Sequence, residues 1–126
     1  GAVSVPLYYS SPIRDMANIL HDCRASMLFA GVPEILEKLE SAGLNIPVVS
    51  FCREAPQREL PGLYVAWSDF LEEGKKYMGG ILKSSVGFGD TATIRYTSGT
   101  TGMPKGAVFD HAGLRSMAEA LASLPP

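Results

Sequence analysis

Cysteine, histidine and tryptophan are scarce in this chain, with two, two and one among 126 residues. Cys23 and Cys52 form no Cys-x-x-Cys pair, and no further cluster of metal-ligating residues accompanies them, so no metal site is expected. The pattern suits two reduced core thiols in a cytoplasmic protein, with a disulfide between them as the alternative. An excess of positive charge is also missing: 11 basic and 13 acidic side chains are interspersed, for a net charge of −2. Without a basic cluster to neutralise a phosphate backbone, no nucleic-acid partner is expected. No run approaches the ~20 apolar residues that span a bilayer, so no transmembrane segment is expected. The first residues, Gly1 to Leu7, lack the positively charged start of a signal peptide. They also lack an initiator methionine and run straight into a strand-like stretch, which suggests a cut end.

What is present is a core. Hydrophobic residues make up 46% of the chain and charged residues 19%, a balance that argues against wholesale disorder. Strand-like and helix-like stretches alternate along it. Ala2 to Leu7 reads as a buried strand. Ser11 and Pro12 then suggest an N-cap and a first-turn proline, with Ile13, Met16, Ala17 and Leu20 on one helical stripe. Ser26 to Phe29 predicts a second strand. Pro33 opens a helix with Val32, Ile35, Leu36 and Leu39 on one face, and Gly43 suits its exit. Pro47 to Cys52 predicts a third strand. This β-α-β-α-β order implies an α/β fold, a mainly parallel sheet flanked by helices.

Further on, Arg53 to Pro61 reads as a surface loop and Leu63 to Ala66 as a brief strand, after which Ser68 caps a short helix through Glu73. Tyr77 to Asp90 carries four glycines and reads as a mobile connection. Thr91 to Tyr96 and Ala107 to Phe109 predict two more strands. Asp110 can cap a last helix, which places Leu114, Met117, Ala118 and Leu121 on one face.

The segment between those last two strands carries the chemistry. Thr97, Ser98, Gly99, Thr100, Thr101, Gly102, Lys105 and Gly106 put four hydroxyls, three glycines and one lysine within ten residues. Glycines let backbone N–H groups approach an anion closely, hydroxyls donate to phosphate oxygens, and a lysine adds positive charge. The Walker pattern fails, because Lys105 follows Pro104 and precedes Gly106. Gly87, Gly89 and Ala92 match a dinucleotide fingerprint in letters only, since they precede a strand instead of following one. The competing reading is a plain Ser/Thr/Gly surface turn.

The run from Tyr96 to His111, YTSGTTGMPKGAVFDH, resembles the signature loop of the adenylate-forming (AMP-binding) superfamily, nearly complete over sixteen residues. That superfamily includes acyl-CoA synthetases and peptide-synthetase adenylation domains. Gly1 to Leu7 is similar to the family's GAxxVPL strand, and the following elements fall in the family's order. The resemblance implies that residues 1–126 are part of the large N-terminal domain of an adenylate-forming enzyme, truncated at both ends, with the phosphate-binding loop at 96–106. It implies ATP-dependent activation of a small carboxylic acid as an acyl-adenylate, then transfer to a thiol, most like an acyl-CoA synthetase acting with coenzyme A. Thr97, Ser98, Gly99, Thr100, Thr101, Gly102 and Lys105 would contact the β- and γ-phosphates, with Lys105 stabilising the leaving pyrophosphate. Magnesium, the adenine pocket, the coenzyme A site and the family's C-terminal catalytic lysine would involve residues outside this chain. The alternatives are a catalytically incompetent phosphate-binding fragment and a piece of a peptide-synthetase adenylation domain. Thr100, where peptide-synthetase domains commonly carry serine, leans toward the CoA ligases.

The remaining polar and aromatic residues have simpler readings. His111 suits packing at the start of the last helix, and His21 suits a helix end. Glu72, Glu73, Lys75 and Lys76 form a solvated face, and Tyr64, Trp67 and Phe70 read as packing.

Overall fold

The computed structural model describes residues 1–43, 46–52, 64–77, 85–97 and 102–124. The chain divides into two units, Tyr8–Ile81 and the pair of segments Gly1–Leu7 and Leu82–Pro126.

In the Tyr8–Ile81 unit the order is α1 (Ile13–Asp22), β1 (Leu28–Ala30), α2 (Pro33–Ser41), β2 (Val48–Ser50), β3 (Tyr64–Ala66) and α3 (Trp67–Lys76). The three strands form one parallel sheet in the order β1-β2-β3, with Phe29, Val49 and Val65 in register. The predicted parallel α/β arrangement is therefore present. Among the described residues the core comprises Met16, Ile19 and Leu20 from α1, Leu36 and Leu39 from α2, and Ala30 and Val49 from the sheet. Burying each large apolar side chain contributes roughly 1.5–3 kcal/mol. Ile19, absent from the predicted stripe, is among the most buried residues of α1.

The helix ends differ from the sequence reading in instructive ways. Pro12 is the N-cap of α1, not its first-turn residue, because its ψ of 142° is still extended. Ser11 makes no side-chain cap. The turn that closes α1 runs through Arg24, which lies two residues past the helix and takes the left-handed conformation at φ 51°. The Arg24 N–H donates to the His21 carbonyl at 3.1 Å and the Ala25 N–H to the Leu20 carbonyl at 2.9 Å, a paired closure that a glycine ordinarily supplies. In α2 the expected glycine does this work, with Gly43 at φ +65°. The helix α3 begins at Trp67, one residue before the predicted cap. Ser68 lies inside its first turn and its hydroxyl bonds the Asp69 carboxylate at 3.4 Å.

The aromatic packing is real and wider than expected. Trp67 stacks on Phe70 with ring centroids 5.7 Å apart, Phe29 meets Phe70 edge-on at 5.7 Å, and Phe51 meets Trp67 at 6.4 Å. Lys75–Glu72 and Lys76–Glu73 pair at 2.5 and 2.6 Å on an exposed face, where such pairs contribute little. Both cysteines are free thiols. Burial pushes the Cys23 thiol above its ordinary pKa, against smaller backbone hydrogen-bond effects that lower it.

The second unit is built on an antiparallel pair, β4 (Thr91–Thr97) and β5 (Lys105–Asp110), followed by α4 (His111–Ala122). The segment Ala2 to Leu7, expected as a buried strand, is not one. Only Ser4 bridges to β4, through its N–H to the Ala92 carbonyl (3.1 Å) and its carbonyl to the Ile94 N–H (3.0 Å). The Thr93 hydroxyl adds a 2.7 Å bond to that same carbonyl, while Val3 stays exposed. One rung satisfies the Ser4 backbone here, while Val5 and Leu7 are only half-buried. The expected apolar stripe of α4 is present in sequence but buries no residue. The expected surface loop at 53–61 and residues 78–84 of the expected connection lie outside the described residues.

Candidate functional site

The signature segment closes the β4–β5 hairpin. Five of the seven residues of β4 are β-branched or aromatic, types that suit a pleated ladder. It pairs with β5 as Ile94↔Val108, Arg95↔Ala107, Tyr96↔Gly106 and Thr97↔Lys105. The two ends of the predicted loop are thus strand residues: Tyr96 and Thr97 belong to β4, Lys105 and Gly106 to β5. Thr97 and Lys105 form the last rung, and both are solvent-exposed. Directly opposite residues share a face and hold their Cβ atoms about 4.5–5.5 Å apart, so a threonine and a lysine side chain leave the same face at the mouth of the loop.

Gly102 adopts φ +82°, a conformation that L side chains rarely take, and a Cβ built there meets nothing within 4 Å. It is glycine for the turn, and it leaves open space beside the backbone. Of the residues expected to contact phosphate, Thr97 and Lys105 share the last rung, and Gly102 precedes Lys105 by three positions. Ser98, Gly99, Thr100 and Thr101 lie outside the described residues. The donor set in view, a hydroxyl, a cation and an unshielded glycine backbone, fits phosphate oxygens.

The start of α4 is closed to an anion. The His111 N–H donates to the Asp90 carbonyl at 3.2 Å and the Ala112 N–H to the Phe88 carbonyl at 2.9 Å. The Gly113 N–H donates to the Asp110 carboxylate at 2.7 Å, the predicted cap. Helix N-termini bind anions through such donors, and here three are already spent on the protein. His111 thus has a backbone role at the helix start, and its side chain is exposed. The turn that supplies two of these acceptors is itself pinned: the Asp90 carboxylate accepts the Gly87 N–H at 2.7 Å, and the Arg115 guanidinium lies 5.6 Å from the Phe88 ring centre. This use of Gly87 to Asp90 went unread in the sequence, although a Gly-x-Gly-Asp turn just before a strand is a signal for it.

A family model described as AMP-binding enzyme matches residues 1–125. The chain belongs to the AMP-binding enzyme family. Malonate–CoA ligase ACSF3, mitochondrial, of Bos taurus is 32% identical over 124 residues, covering 96% of this chain and 18% of that protein. Long chain acyl-CoA synthetase 5 of Arabidopsis thaliana is 34% identical over 122 residues, covering 88% of this chain and 18% of that protein. The hybrid PKS-NRPS synthetase thnA of Trichoderma harzianum is 29% identical over 124 residues, covering 94% of this chain and 2% of that protein. The chain therefore spans less than a fifth of the length of these relatives. Among the described residues of this AMP-binding chain, no group of three or more His, Cys, Asp and Glu could hold a metal ion. Nor is any helix among them long and apolar enough to cross a membrane.

Proposed function

We propose that this chain is the phosphate-binding part of an ATP-dependent, AMP-forming acid ligase that uses coenzyme A as acceptor. The observation that carries the reading is the Thr97–Lys105 rung, which closes the family's signature loop with a hydroxyl and a cation on one face. In the reaction, a carboxylate oxygen bonds the α-phosphorus of ATP and the bond from that phosphorus to the bridging oxygen breaks, releasing pyrophosphate. A thiol then displaces AMP from the acyl carbon. The Lys105 ammonium and the Thr97 hydroxyl stabilise charge growing on the departing pyrophosphate, as donors aimed at developing charge do. Ser98, Gly99, Thr100, Thr101 and Gly102 complete this cradle in the proposal. Magnesium accompanies ATP in such chemistry, and no step here is assigned to it.

The acceptor assignment is supported by relatives whose names are CoA ligases. The similarity to a hybrid synthetase supports the competing reading, an adenylation module that hands its acyl group to a carrier protein. In our reading the protein works in the cytoplasm, supported by its two free thiols. It acts as part of a longer polypeptide, and residues 1–126 alone do not turn over, because one wall of a site cannot hold all reacting groups in place.

The test is carboxylate-dependent exchange of labelled pyrophosphate into ATP by the complete polypeptide, over a panel of short, long and aryl acids. AMP formation with coenzyme A completing the turnover is expected. Production of ADP without AMP would exclude the reading, transfer to a carrier protein in preference to coenzyme A would favour the module, and acyl-adenylate from residues 1–126 alone would overturn the claim of inactivity.

A further inference from the structure

Gly106 lies directly opposite Tyr96, one rung below Thr97 and Lys105. Among the described glycines only Gly43 and Gly102 have positive φ, so backbone conformation does not require glycine at 106. Space does. A Cβ built at Gly106 would stand 2.9 Å from Ile94 Cγ2, 3.0 Å from Tyr96 Cζ and 3.2 Å from Tyr96 Cε1. Ile94 and Tyr96 are two apart on β4 and therefore share a face. Both side chains close over the place where a side chain of residue 106 would be. A glycine inside a strand ordinarily weakens it, and its presence marks a close approach. Here what approaches is an aromatic ring from the partner strand, an arrangement that recovers packing lost at the glycine.

We propose that Gly106 is a positioning residue for the phosphate loop. Its missing side chain seats Tyr96 across the base of the hairpin, and that packing sets the direction in which Thr97 and Lys105 leave the ladder. The proposal rests on reading the hairpin as a phosphate cradle. Tyr96 is followed by Thr97, and Gly106 is preceded by Lys105, so displacing either partner moves a loop residue. The Ile94 methyl cannot readily swing aside, because a β-branched side chain is stiff about χ1. A methyl at 106 must therefore shift the tyrosine ring or strand β5.

The experiment compares Gly106→Ala in two backgrounds of the complete polypeptide, wild type and Ile94→Ala/Tyr96→Ala. In the wild-type background, kcat/KM for ATP should fall on the order of ten- to 10²-fold, the scale of an ångström misplacement. Much of the loss should appear in KM for ATP, with KM for the carboxylate unchanged; a loss of folded protein would lower kcat alone. In the truncated background Gly106→Ala should change kcat/KM less than about twofold, since coupled residues are non-additive. An equal loss in both backgrounds overturns the proposal. A second measurement serves if the truncated background is too slow to assay. In Gly106→Ala the backbone amide resonances of Thr97 and Lys105 should move while those of α4 beyond its first turn stay in place; unmoved loop resonances overturn the proposal. Absence of pyrophosphate exchange in the wild type would instead overturn the functional reading, and the positioning role with it. An upfield ring shift of the Gly106 α-protons, lost in Tyr96→Leu, would then still report the packing by itself.

Discussion

Thr97 and Lys105 face each other across the last rung of the β4–β5 hairpin, eight positions apart in sequence and joined by a backbone ladder. The ladder sets the one lysine of the signature segment directly opposite a threonine, on the same face of the hairpin. Positioning of this kind is what makes a donor effective in a transition state, since no reorganisation is then required during reaction.

Replacing Lys105 tests that role. Lys105→Ala in the complete polypeptide should slow acyl-adenylate formation on the order of 10²-fold, the usual effect of removing one charge-stabilising group. Thiol transfer from a chemically prepared acyl-adenylate should be nearly unchanged, because pyrophosphate has already left. Pre-steady-state rates of the two half-reactions make the comparison. Equal slowing of both steps would remove Lys105 from the role assigned to it.

The Asp110 carboxylate is the side-chain cap of α4, and its loss should be measurable. Asp110→Ala should destabilise the protein by about 1 kcal/mol, the typical cost of losing such a cap. Asp110→Asn should cost only a few tenths, because the amide oxygen still accepts the Gly113 N–H while the favourable charge at the helix start is gone. Urea unfolding reads the difference, and amide exchange should localise it to the first turn of α4. Equal destabilisation by both substitutions would point to a function of the charge other than capping.

Arg24 offers the opposite sign. It occupies the left-handed position that closes α1, where a side chain costs roughly 1 kcal/mol or more relative to glycine. Arg24→Gly should therefore stabilise the protein by about 0.5–1 kcal/mol, while Arg24→Val, with a branched Cβ, should destabilise it by at least as much. Thermal or urea unfolding of the three proteins checks the order. A less stable glycine variant would mean that the arginine side chain contributes packing that outweighs its backbone strain.

Several features were legible from residue types alone. Hydrophobic spacing and proline placement located α1 and α2, Gly43 located the end of α2, Asp110 the cap of α4, and β-branched runs the strands β2 and β4. These are local properties: helix caps, turn glycines and strand propensity act within a few residues, so they can be read in a window. The signature segment was equally plain, because its glycines, hydroxyls and lysine are adjacent in the chain, and the family match spans residues 1–125 around it.

Pairing was not legible, because it joins residues that are distant in sequence. Nothing near Ala2–Leu7 says that only Ser4 finds a rung, or that its partner is β4, 89 positions away for the Thr93–Ser4 bond. Likewise, Gly106 looked like one more glycine of a phosphate loop until the register set Tyr96 opposite it. The turn Gly87–Asp90 looked like connection until its carbonyls met the donors at the start of α4. Residue types alone indicate most of the helices and strands and the chemistry the loop can offer, because propensity and side-chain chemistry are carried by each residue. Which donors remain available to a ligand, and which glycine makes room for a ring, follow from the folded pairing, because hydrogen-bond supply and steric space exist between chain segments and belong to neither alone.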